Sequence, residues 1–195
     1  MSNDAGDDRD VYAVVSTAGG PCGLMWRDDD KQAARLLRVY PAHPDRDLLV
    51  RNIKKQHSTA QLRDGALPPW LEPVRRFLVD YYAGGNVKLI QPDWDWLKQH
   101  LFWQGQTEFT RAVLAATYQI KSGTTLSYGD VARKVHRPRA ARAVGGALAR
   151  NPWPVLIPCH RVVGADGSMT GFSGYGSVAT KKRMLAVEQQ RLVAS

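Results

Sequence analysis

Apolar and polar residues alternate along the first forty positions in the manner of β-strands. The stretches VYAVVST and CGLMWR are separated by AGGP, a cluster of turn-forming residues, and this arrangement predicts a β-hairpin. ARLLRVYP follows a few residues later and predicts a third strand. The chain is therefore expected to begin with a small sheet.

Two amphipathic stretches follow these strands. Residues 45–57 and 70–82 each carry apolar side chains at helical spacing, with Pro68–Pro69 before the second stretch and Gly84–Gly85 after it. The helical spacing predicts a helix over each stretch. The second prediction is strengthened by its flanking residues, because proline is favoured in the first turn of a helix and glycine just past its end. Residues 86–105, which are rich in tryptophan, are expected to cross to the rest of the chain.

The second half of the chain predicts a succession of helices. Apolar residues recur at helical spacing over residues 107–121. Ser127 begins the sequence SYGD, in which Asp130 lies three residues on, and this capping-box pattern predicts a second helix that ends near Val135. A third helix is expected over residues 139–150. Two short helices joined by a few residues in a basic region are typical of a helix-turn-helix.

The helix over residues 139–150 contains a locally unfavourable choice. Gly145 and Gly146 lie in its interior, where each costs about 0.5–1 kcal/mol relative to alanine. Small side chains let a helix backbone approach a bulky partner, and Arg142 stands among them as a long cation. The pattern fits a helix pressed onto DNA with Arg142 as a probe. It fits equally a close helix–helix contact with Arg142 in solvent.

The formal charge of +9 is unevenly distributed along the chain. Residues 1–105 hold 14 basic and 14 acidic side chains, whereas residues 106–195 hold 13 and 4. Such an excess indicates a polyanionic partner, most often nucleic acid, although a merely basic surface has the same composition. No apolar run reaches the roughly 18 residues of a membrane span. Two cysteines indicate free thiols, and we expect a cytoplasmic protein.

The candidate chemistry lies in the sequence VLIPCHRVV. Cysteine attacks as a thiolate, and a neighbouring base provides thiolate near neutral pH, so Cys159 and His160 are a candidate nucleophile and base. The dipeptide alone is also compatible with a buried core cysteine. Asn151, just before Pro152, either bonds the backbone of the connection to this segment or simply ends the preceding helix.

The last helix carries a carboxylate on its apolar face. Val178, Met184, Leu185 and Leu192 recur at helical spacing, and Glu188 falls on the same face. A carboxylate on a core-facing stripe needs a partner, and a histidine that requires orientation is one. The pattern equally allows Glu188 to reach water from the edge of the stripe.

Together these motifs resemble one family, the O6-alkylguanine-DNA alkyltransferases. The run RAVGGALARNPWPVLIPCHRVVGADGSMTGFSG contains the PCHRV active-site motif of the family and, upstream at the family's distance, its RAVG helix. FTRAVLAATYQIKSGTTLSYGDVA resembles the first helices of the family's DNA-binding domain. The resemblance covers about residues 106–190, and a weaker similarity to the family is found around STAGGPCGLMW.

The resemblance implies catalytic roles for the matching residues. Cys159 resembles the alkyl acceptor, His160 the base that takes its proton through a water molecule, and Glu188 the acid that orients this histidine. Asn151 resembles the hinge residue. Tyr128 resembles the tyrosine that helps to rotate the base out of the duplex, and it is the candidate proton donor to the departing guanine.

The resemblance also implies how the protein binds DNA. A stacked guanine cannot present its O6 alkyl carbon in line to a thiolate, so the nucleotide must first be flipped out of the duplex. Arg142 resembles the finger that fills the resulting gap from the minor groove. The residues expected to contact DNA are Tyr128, Ala141, Arg142, Ala143, Gly145 and Arg150, and those expected to line the alkyl pocket are Tyr128, Val162, Met169 and Tyr175.

The fold class implied by the resemblance has two parts. Residues 1–95 are expected to form an α/β domain whose sheet is ribonuclease-H-like, and residues 96–195 a mostly α domain with the helix-turn-helix. We expect a monomer that binds double-stranded DNA containing O6-alkylguanine, with cooperation between molecules left open, and with no membrane, cofactor or metal. The potential ligands of the first half lack the short paired spacing of a zinc site; they are Cys22, His43, His57 and His100.

The implied function is direct reversal of DNA damage. A methyl or other alkyl group would move irreversibly from O6 of guanine to Cys159, once per molecule, with O4 of thymine left open as a second donor. An alkyltransferase-like protein that only binds the lesion is disfavoured, because such proteins carry tryptophan at this position. A DNA-binding regulator leaves PCHRV unexplained, and a cysteine hydrolase leaves the basic helices unexplained.

Overall fold

A four-stranded mixed sheet forms the first half of the molecule, which a computed structural model describes over residues 9–28, 33–84, 91–169 and 177–193. The sheet order is β3-β2-β1-β4. The central pair is antiparallel, β3 adds antiparallel to β2, and β4 adds parallel to β1. The predicted hairpin and third strand are confirmed. The strands are β1 (Arg9–Val15), β2 (Cys22–Asp28), β3 (Arg35–Tyr40) and β4 (Gln61–Leu62).

Helices cover both faces of this sheet, because side chains alternate between its faces along each strand. Tyr12 and Met25 pack on one face in a small apolar cluster that includes Ile53 of α1 (Arg46–Gln56). Leu24 and Trp26 point to the other face and join the main core. The side chain of Asp45 caps the start of α1, as the sequence predicts.

The second predicted helix carries the other covering layer. A 3₁₀ turn (Pro69–Leu71) leads into α2 (Glu72–Ala83), and Gly84 ends it at φ 69°, a left-handed conformation that favours glycine. Four side chains of α2 are buried in the main core, where they meet the face of the sheet opposite α1; they are Val74, Phe77, Leu78 and Tyr81.

The predicted crossing segment contains a helix that the pattern did not reveal, α3 (Trp94–His100). Asp93 caps it and aromatic side chains dominate its short length, which leaves little helical periodicity to read. The predicted boundary between residues 95 and 96 falls within α3. The main core is continuous across this point, and the indole of Trp153 donates a hydrogen bond to the Leu36 carbonyl of β3 at 3.0 Å.

The rest of the described chain is mostly helical, as expected. Ser127 and Asp130 form the predicted capping box at the start of α5. A short parallel pair, β5 with β6, brings this start beside the segment that follows Cys159. The elements are α4 (Glu108–Tyr118), β5 (Leu126–Ser127), α5 (Tyr128–Lys134), α6 (Ala141–Ala149), a 3₁₀ turn (Cys159–Arg161), β6 (Val162–Val163) and α7 (Ser177–Val193).

The buried face of α7 differs from the predicted stripe. Met184 and Leu185 are buried, but Val178 is 37% exposed, because the first turn of α7 extends past the edge of the core. Lys181 takes the place that an apolar residue would have on the buried face. The side chain of Leu192 lies outside the described residues. None of the helices that the structure describes is long and apolar enough to span a membrane.

Candidate active site and nucleic-acid interface

The thiol of Cys159 lies at the start of a 3₁₀ turn and is only 7% exposed. Burial raises its pKa, because a thiolate loses water there, while a hydrogen bond from the Asn151 side chain and the charge of Lys181 act in the opposite direction. The resting group is therefore a thiol. A base must take its proton before it can attack.

His160 and Glu188 form a fully buried pair next to this thiol. Nε2 of the histidine lies 2.7 Å from Oε1 of Glu188, and both side chains are 0% exposed. Glu188 reaches this position from the buried face of α7. The histidine-partner interpretation of the sequence therefore agrees with the geometry, and the alternative that Glu188 reaches water is wrong.

Glu188 is held as an anion by a ring of donors. Burial raises its pKa, but hydrogen bonds from His160 and Arg161 outweigh this effect and hold the pKa well below its usual range. Arg161 donates from Nη2 to Oε1 at 2.9 Å, and the backbone N–H of Gly123 donates to Oε2 at 3.1 Å. Nε of Arg161 also donates to Oε2 at 3.0 Å, so each oxygen accepts at least two hydrogen bonds, as a buried charge requires.

The imidazole of His160 is left with one unused nitrogen. Burial lowers the pKa of His160 despite the opposing effect of Glu188, so the ring is neutral near pH 7. Because Nε2 faces an anionic oxygen, the proton belongs on Nε2. Among the described residues Nδ1 has no hydrogen-bond partner. Its free lone pair can act as a base.

Asn151 fastens the loop that leads to the thiol. Its Nδ2 donates to the Ile157 carbonyl at 2.9 Å, and its Oδ1 accepts from the Trp153 N–H at 3.0 Å. Between these contacts the buried Val155 has φ 74°, a conformation that costs a β-branched residue on the order of 1–3 kcal/mol. The sequence alternative in which Asn151 merely ends α6 is therefore wrong, because its side chain bridges the loop.

Three residues of the site were not singled out from the sequence: Tyr81, Arg161 and Lys181. Lys181 is buried, donates from Nζ to the Val162 carbonyl at 2.5 Å, and lies 5.7 Å from the centre of the Tyr128 ring. The spacing of Lys181 from Met184 and Glu188 was a usable signal, as was the place of Arg161 inside PCHRV. Tyr81 sits on a regular apolar face of α2, where nothing distinguishes it from a core tyrosine.

A cleft of about 590 Å³ opens between α5 and α6, and Tyr128 is one of the residues that line it. Tyr128 is half-buried, and burial together with the nearby Cys159 raises the pKa of its hydroxyl. A Cβ added at Gly145 would lie 3.8 Å from the Tyr128 ring, so a close helix–helix approach occurs here. The cleft is lined by Ser127, Tyr128, Gly129, Arg133, Ala141, Arg142, Gly145 and Ala165.

Two exposed cations, Arg133 and Arg142, line this cleft, and others lie on the same two helices and their connection. Asp130, the one acid among residues 128–150, pairs with Arg133, which leaves the surface strongly positive. Arg142, Ala143 and Arg150 are exposed, whereas Ala141 and Gly145 are half-buried. The exposed basic side chains of α5, α6 and their connection are Arg133, Lys134, Arg137, Arg139, Arg142 and Arg150.

The predicted alkyl pocket is only partly within the described residues. Val162 is buried one strand position past the active-site turn, and Met169 is half-buried. Tyr175 lies outside the described residues. Within the part of the chain that the structure describes, no group of three or more His, Cys, Asp or Glu side chains is placed to hold a metal ion.

A buried cysteine with a histidine–carboxylate pair, next to a basic helix pair, defines a class of nucleic-acid-directed proteins that react through a thiol. Residues 108–190 match a family model that describes the DNA-binding domain of 6-O-methylguanine DNA methyltransferase. The methylated-DNA–protein-cysteine methyltransferase of Salmonella typhimurium is 34% identical over 154 residues, which cover 79% of this chain and 84% of that protein.

Solved structures are similar over nearly the whole chain. The crystal structure of the Mycobacterium tuberculosis O6-methylguanine methyltransferase has a TM-score of 0.69 at 29% identity, covering 93% of this chain and 94% of the other. A structure of the protein from the same organism in complex with DNA has a TM-score of 0.65 at 28% identity, with the same coverage. The chain belongs to the methylated-DNA–protein-cysteine methyltransferase family.

Proposed function

We propose that this protein repairs DNA by direct reversal and transfers an alkyl group, above all methyl, from O6 of guanine to Sγ of Cys159. The observation that carries the proposal is the buried Cys159 thiol beside the His160–Glu188 pair, in a molecule whose α5–α6 cleft is lined by the exposed Arg133 and Arg142. The names of the relatives support this substrate and this acceptor residue type.

The reaction follows from the groups in the site. Nδ1 of His160 takes the thiol proton through a water molecule, and Glu188 stabilises the imidazolium that results. The Cys159 thiolate then attacks the alkyl carbon, a C–S bond forms, and the C–O6 bond breaks with its electron pair left on guanine. The hydroxyl of Tyr128 donates a proton to the departing base. The thioether is stable, so each molecule reacts once.

DNA is bound by α5, α6 and the cations around them. We assign the helix-turn-helix to this pair, with α6 entering the minor groove and Arg142 filling the gap left by the flipped nucleotide. Contacts from Tyr128, Ala141, Ala143, Gly145 and Arg150 complete the interface. The similarity to a solved complex with DNA supports the partner. The protein acts as a monomer, and we expect it in the cytoplasm.

The remaining assignments concern the fold and the pocket. The sheet order β3-β2-β1-β4, with β4 parallel to β1, supports a ribonuclease-H-like sheet. We divide the chain into an α/β domain of residues 1–95 and a DNA-binding, alkyl-transfer domain of residues 96–195. The alkyl group is received among Tyr128, Val162, Met169 and Tyr175.

The test is transfer itself. A duplex that carries O6-methylguanine with a radiolabelled methyl group is incubated with the protein, and label is expected to move from DNA to protein. A protein that only binds the lesion, or a regulator without transfer chemistry, would retain the DNA and leave all label on it. A cysteine hydrolase would transfer no methyl group to itself.

Substituting Arg142 should separate flipping from chemistry. Arg142→Ala is expected to slow repair of duplex DNA by about tenfold or more, because flipping costs a few kcal/mol that the inserted side chain offsets. Reaction with the free base O6-benzylguanine requires no flipping and should change by less than about twofold. The measurement is the ratio of the two second-order rate constants in the variant and in the wild type.

Arg139→Ala is the matched control, since Arg139 is an exposed arginine of the same surface that precedes α6. It should weaken DNA binding slightly and leave the ratio unchanged. If Arg142→Ala gives the same ratio as Arg139→Ala, Arg142 is an ordinary surface charge and the finger assignment fails. Equal loss on both substrates would mean a damaged pocket.

A further inference from the structure

The first half of the chain contributes a side chain to the His160–Glu188 pair. Tyr81 is buried on α2, far in sequence from the turn and from α7. Its hydroxyl donates to Oε1 of Glu188 at 3.1 Å and lies 3.2 Å from Nε2 of His160. Its ring meets the imidazole edge-on, with planes at 70° and centres 6.1 Å apart. Tyr81 therefore touches both partners at the atoms that join them.

We propose that Tyr81 is a positioning residue for alkyl transfer, which fixes the ring and the tautomer of His160 through its contacts with Nε2 and with Glu188. The inference rests on the proposed function, since it assigns a role in that same reaction. The described contacts of the Tyr81 side chain are with His160, with Glu188 and with the rings of Phe77 and Tyr82. Any effect on transfer must pass through the pair.

The direction of each hydrogen bond follows from the donors present. Glu188 is ionised and can only accept, so the single hydroxyl proton of Tyr81 points to Oε1. The hydroxyl oxygen then offers a lone pair to Nε2, which also faces Oε1 at 2.7 Å. Two acceptors on one side of the ring require the proton on Nε2. Nδ1 is thereby kept bare for the thiol proton.

The same contact limits the basicity of His160. The groups that face or act on the imidazole are Glu188 and Lys181 of α7, Tyr81 of α2, and the neighbouring Arg161. Arg161 and Lys181 disfavour the imidazolium, while Glu188 favours it. The Tyr81 hydroxyl draws charge from the oxygen of Glu188 that faces Nε2, and its own lone pair, 3.2 Å from Nε2, offsets this only in part because a neutral hydroxyl is a weaker acceptor than a carboxylate. Without this hydroxyl, Glu188 should act more strongly on His160 and the pKa of His160 should rise.

Tyr81→Phe tests the proposal, because it removes the hydroxyl and keeps the ring. We expect alkyl transfer to O6-benzylguanine and to duplex DNA to slow together, by about two- to tenfold, the range for loss of one buried hydrogen bond. The acid limb of the pH–rate profile should move to higher pH. Binding of undamaged DNA should not change, since Tyr81 is buried away from the basic surface.

Tyr82→Phe is the matched control on the same helix. The Tyr82 hydroxyl accepts from the Ala42 N–H at 3.1 Å and makes no contact in the site. Its removal should cost stability comparable to that of Tyr81→Phe, which the thermal midpoint of each variant measures. The transfer rate and the pH–rate profile of Tyr82→Phe should match the wild type.

A double-mutant cycle with Glu188→Gln tests the path of the effect. If Tyr81 acts through Glu188, adding Tyr81→Phe to Glu188→Gln should change the rate and the acid limb less than it does in the wild type. The proposal is overturned if Tyr81→Phe behaves like Tyr82→Phe, or if its rate loss comes with an unshifted acid limb. Failure of the wild type itself to accept label would instead refute the proposed function.

Discussion

Replacing Cys159 with serine is expected to abolish alkyl transfer and to leave DNA binding nearly intact. A serine hydroxyl has a pKa far above that of a thiol, so the base that ionises Cys159 would produce far less of the nucleophilic anion at a serine, and an alkoxide attacks an alkyl carbon less readily than a thiolate does. The rate should fall by at least about 10³-fold, since the nucleophile is lost and not merely its alignment. Single-turnover transfer from labelled duplex DNA measures this loss.

DNA affinity should survive the same substitution. Cys159 is buried, whereas the basic side chains of α5 and α6 are exposed on the surface. Cys22→Ser is the matched control: Cys22 is also buried, and burial raises its pKa to about 12, which makes it a poor nucleophile. This variant should still transfer. If Cys22→Ser lost transfer and Cys159→Ser kept a normal rate, Cys22 would be the alkyl acceptor and the assignment of Cys159 would be wrong.

Glu188 is the second residue whose loss should have a large effect, and here two substitutions separate chemistry from stability. Glu188→Gln keeps the shape and an acceptor oxygen but removes the charge that stabilises the His160 imidazolium. We expect transfer to fall by about 10²-fold or more on both DNA and the free base. A normal rate in a folded Glu188→Gln would mean that the pair has no part in proton transfer.

Glu188→Ala should also destabilise the fold. It leaves Arg161 buried without its counter-ion and strips the hydrogen-bond acceptors of His160, Tyr81 and the Gly123 N–H. Breaking a buried ion pair in this way costs about 3–5 kcal/mol. Chemical denaturation of the two variants measures the difference. Arg75→Ala, which breaks the half-exposed ion pair with Glu72, is the control and should cost about 1 kcal/mol or less.

The buried His160–Glu188 pair also makes the free energy of unfolding depend on pH. His160 has a lowered pKa in the folded state, so stability is lost as pH falls through the unfolded value of about 6.5. Glu188 has a lowered pKa as well, so its contribution is present above the unfolded value of about 4.3 and is lost as pH falls toward the folded value. Both effects weaken the fold in acid.

Local patterns in the sequence predicted most of the fold. The hairpin, the capping box at Ser127 and the glycine end of α2 depend on neighbouring residues, and all three are confirmed. α3 was not predicted, because its seven residues give too little periodicity. The exposure of Val178 was not predicted either, since the edge of the core depends on where α7 meets the rest of the molecule.

The residues of the candidate site also fall into those that the sequence predicted and those that it did not. Cys159 and His160 are adjacent in a specific motif and could be read directly, and Glu188 could be placed because a carboxylate on an apolar stripe requires a partner. The role of Tyr81 could not be predicted, because its partners His160 and Glu188 lie 79 and 107 residues away in the sequence. The face of α2 that carries Tyr81 is also an ordinary apolar face. A side chain that completes a site across a tertiary contact leaves no local pattern.

The most direct test of the account is the location and amount of the transferred group. After incubation with excess duplex carrying O6-methylguanine, mass spectrometry of the digested protein should find one added methyl group on the peptide that contains Cys159. Transfer should stop at one group per molecule, with guanine restored in the DNA. Methylation at another residue, sustained turnover beyond one equivalent, or unmodified protein beside unrepaired DNA would contradict it.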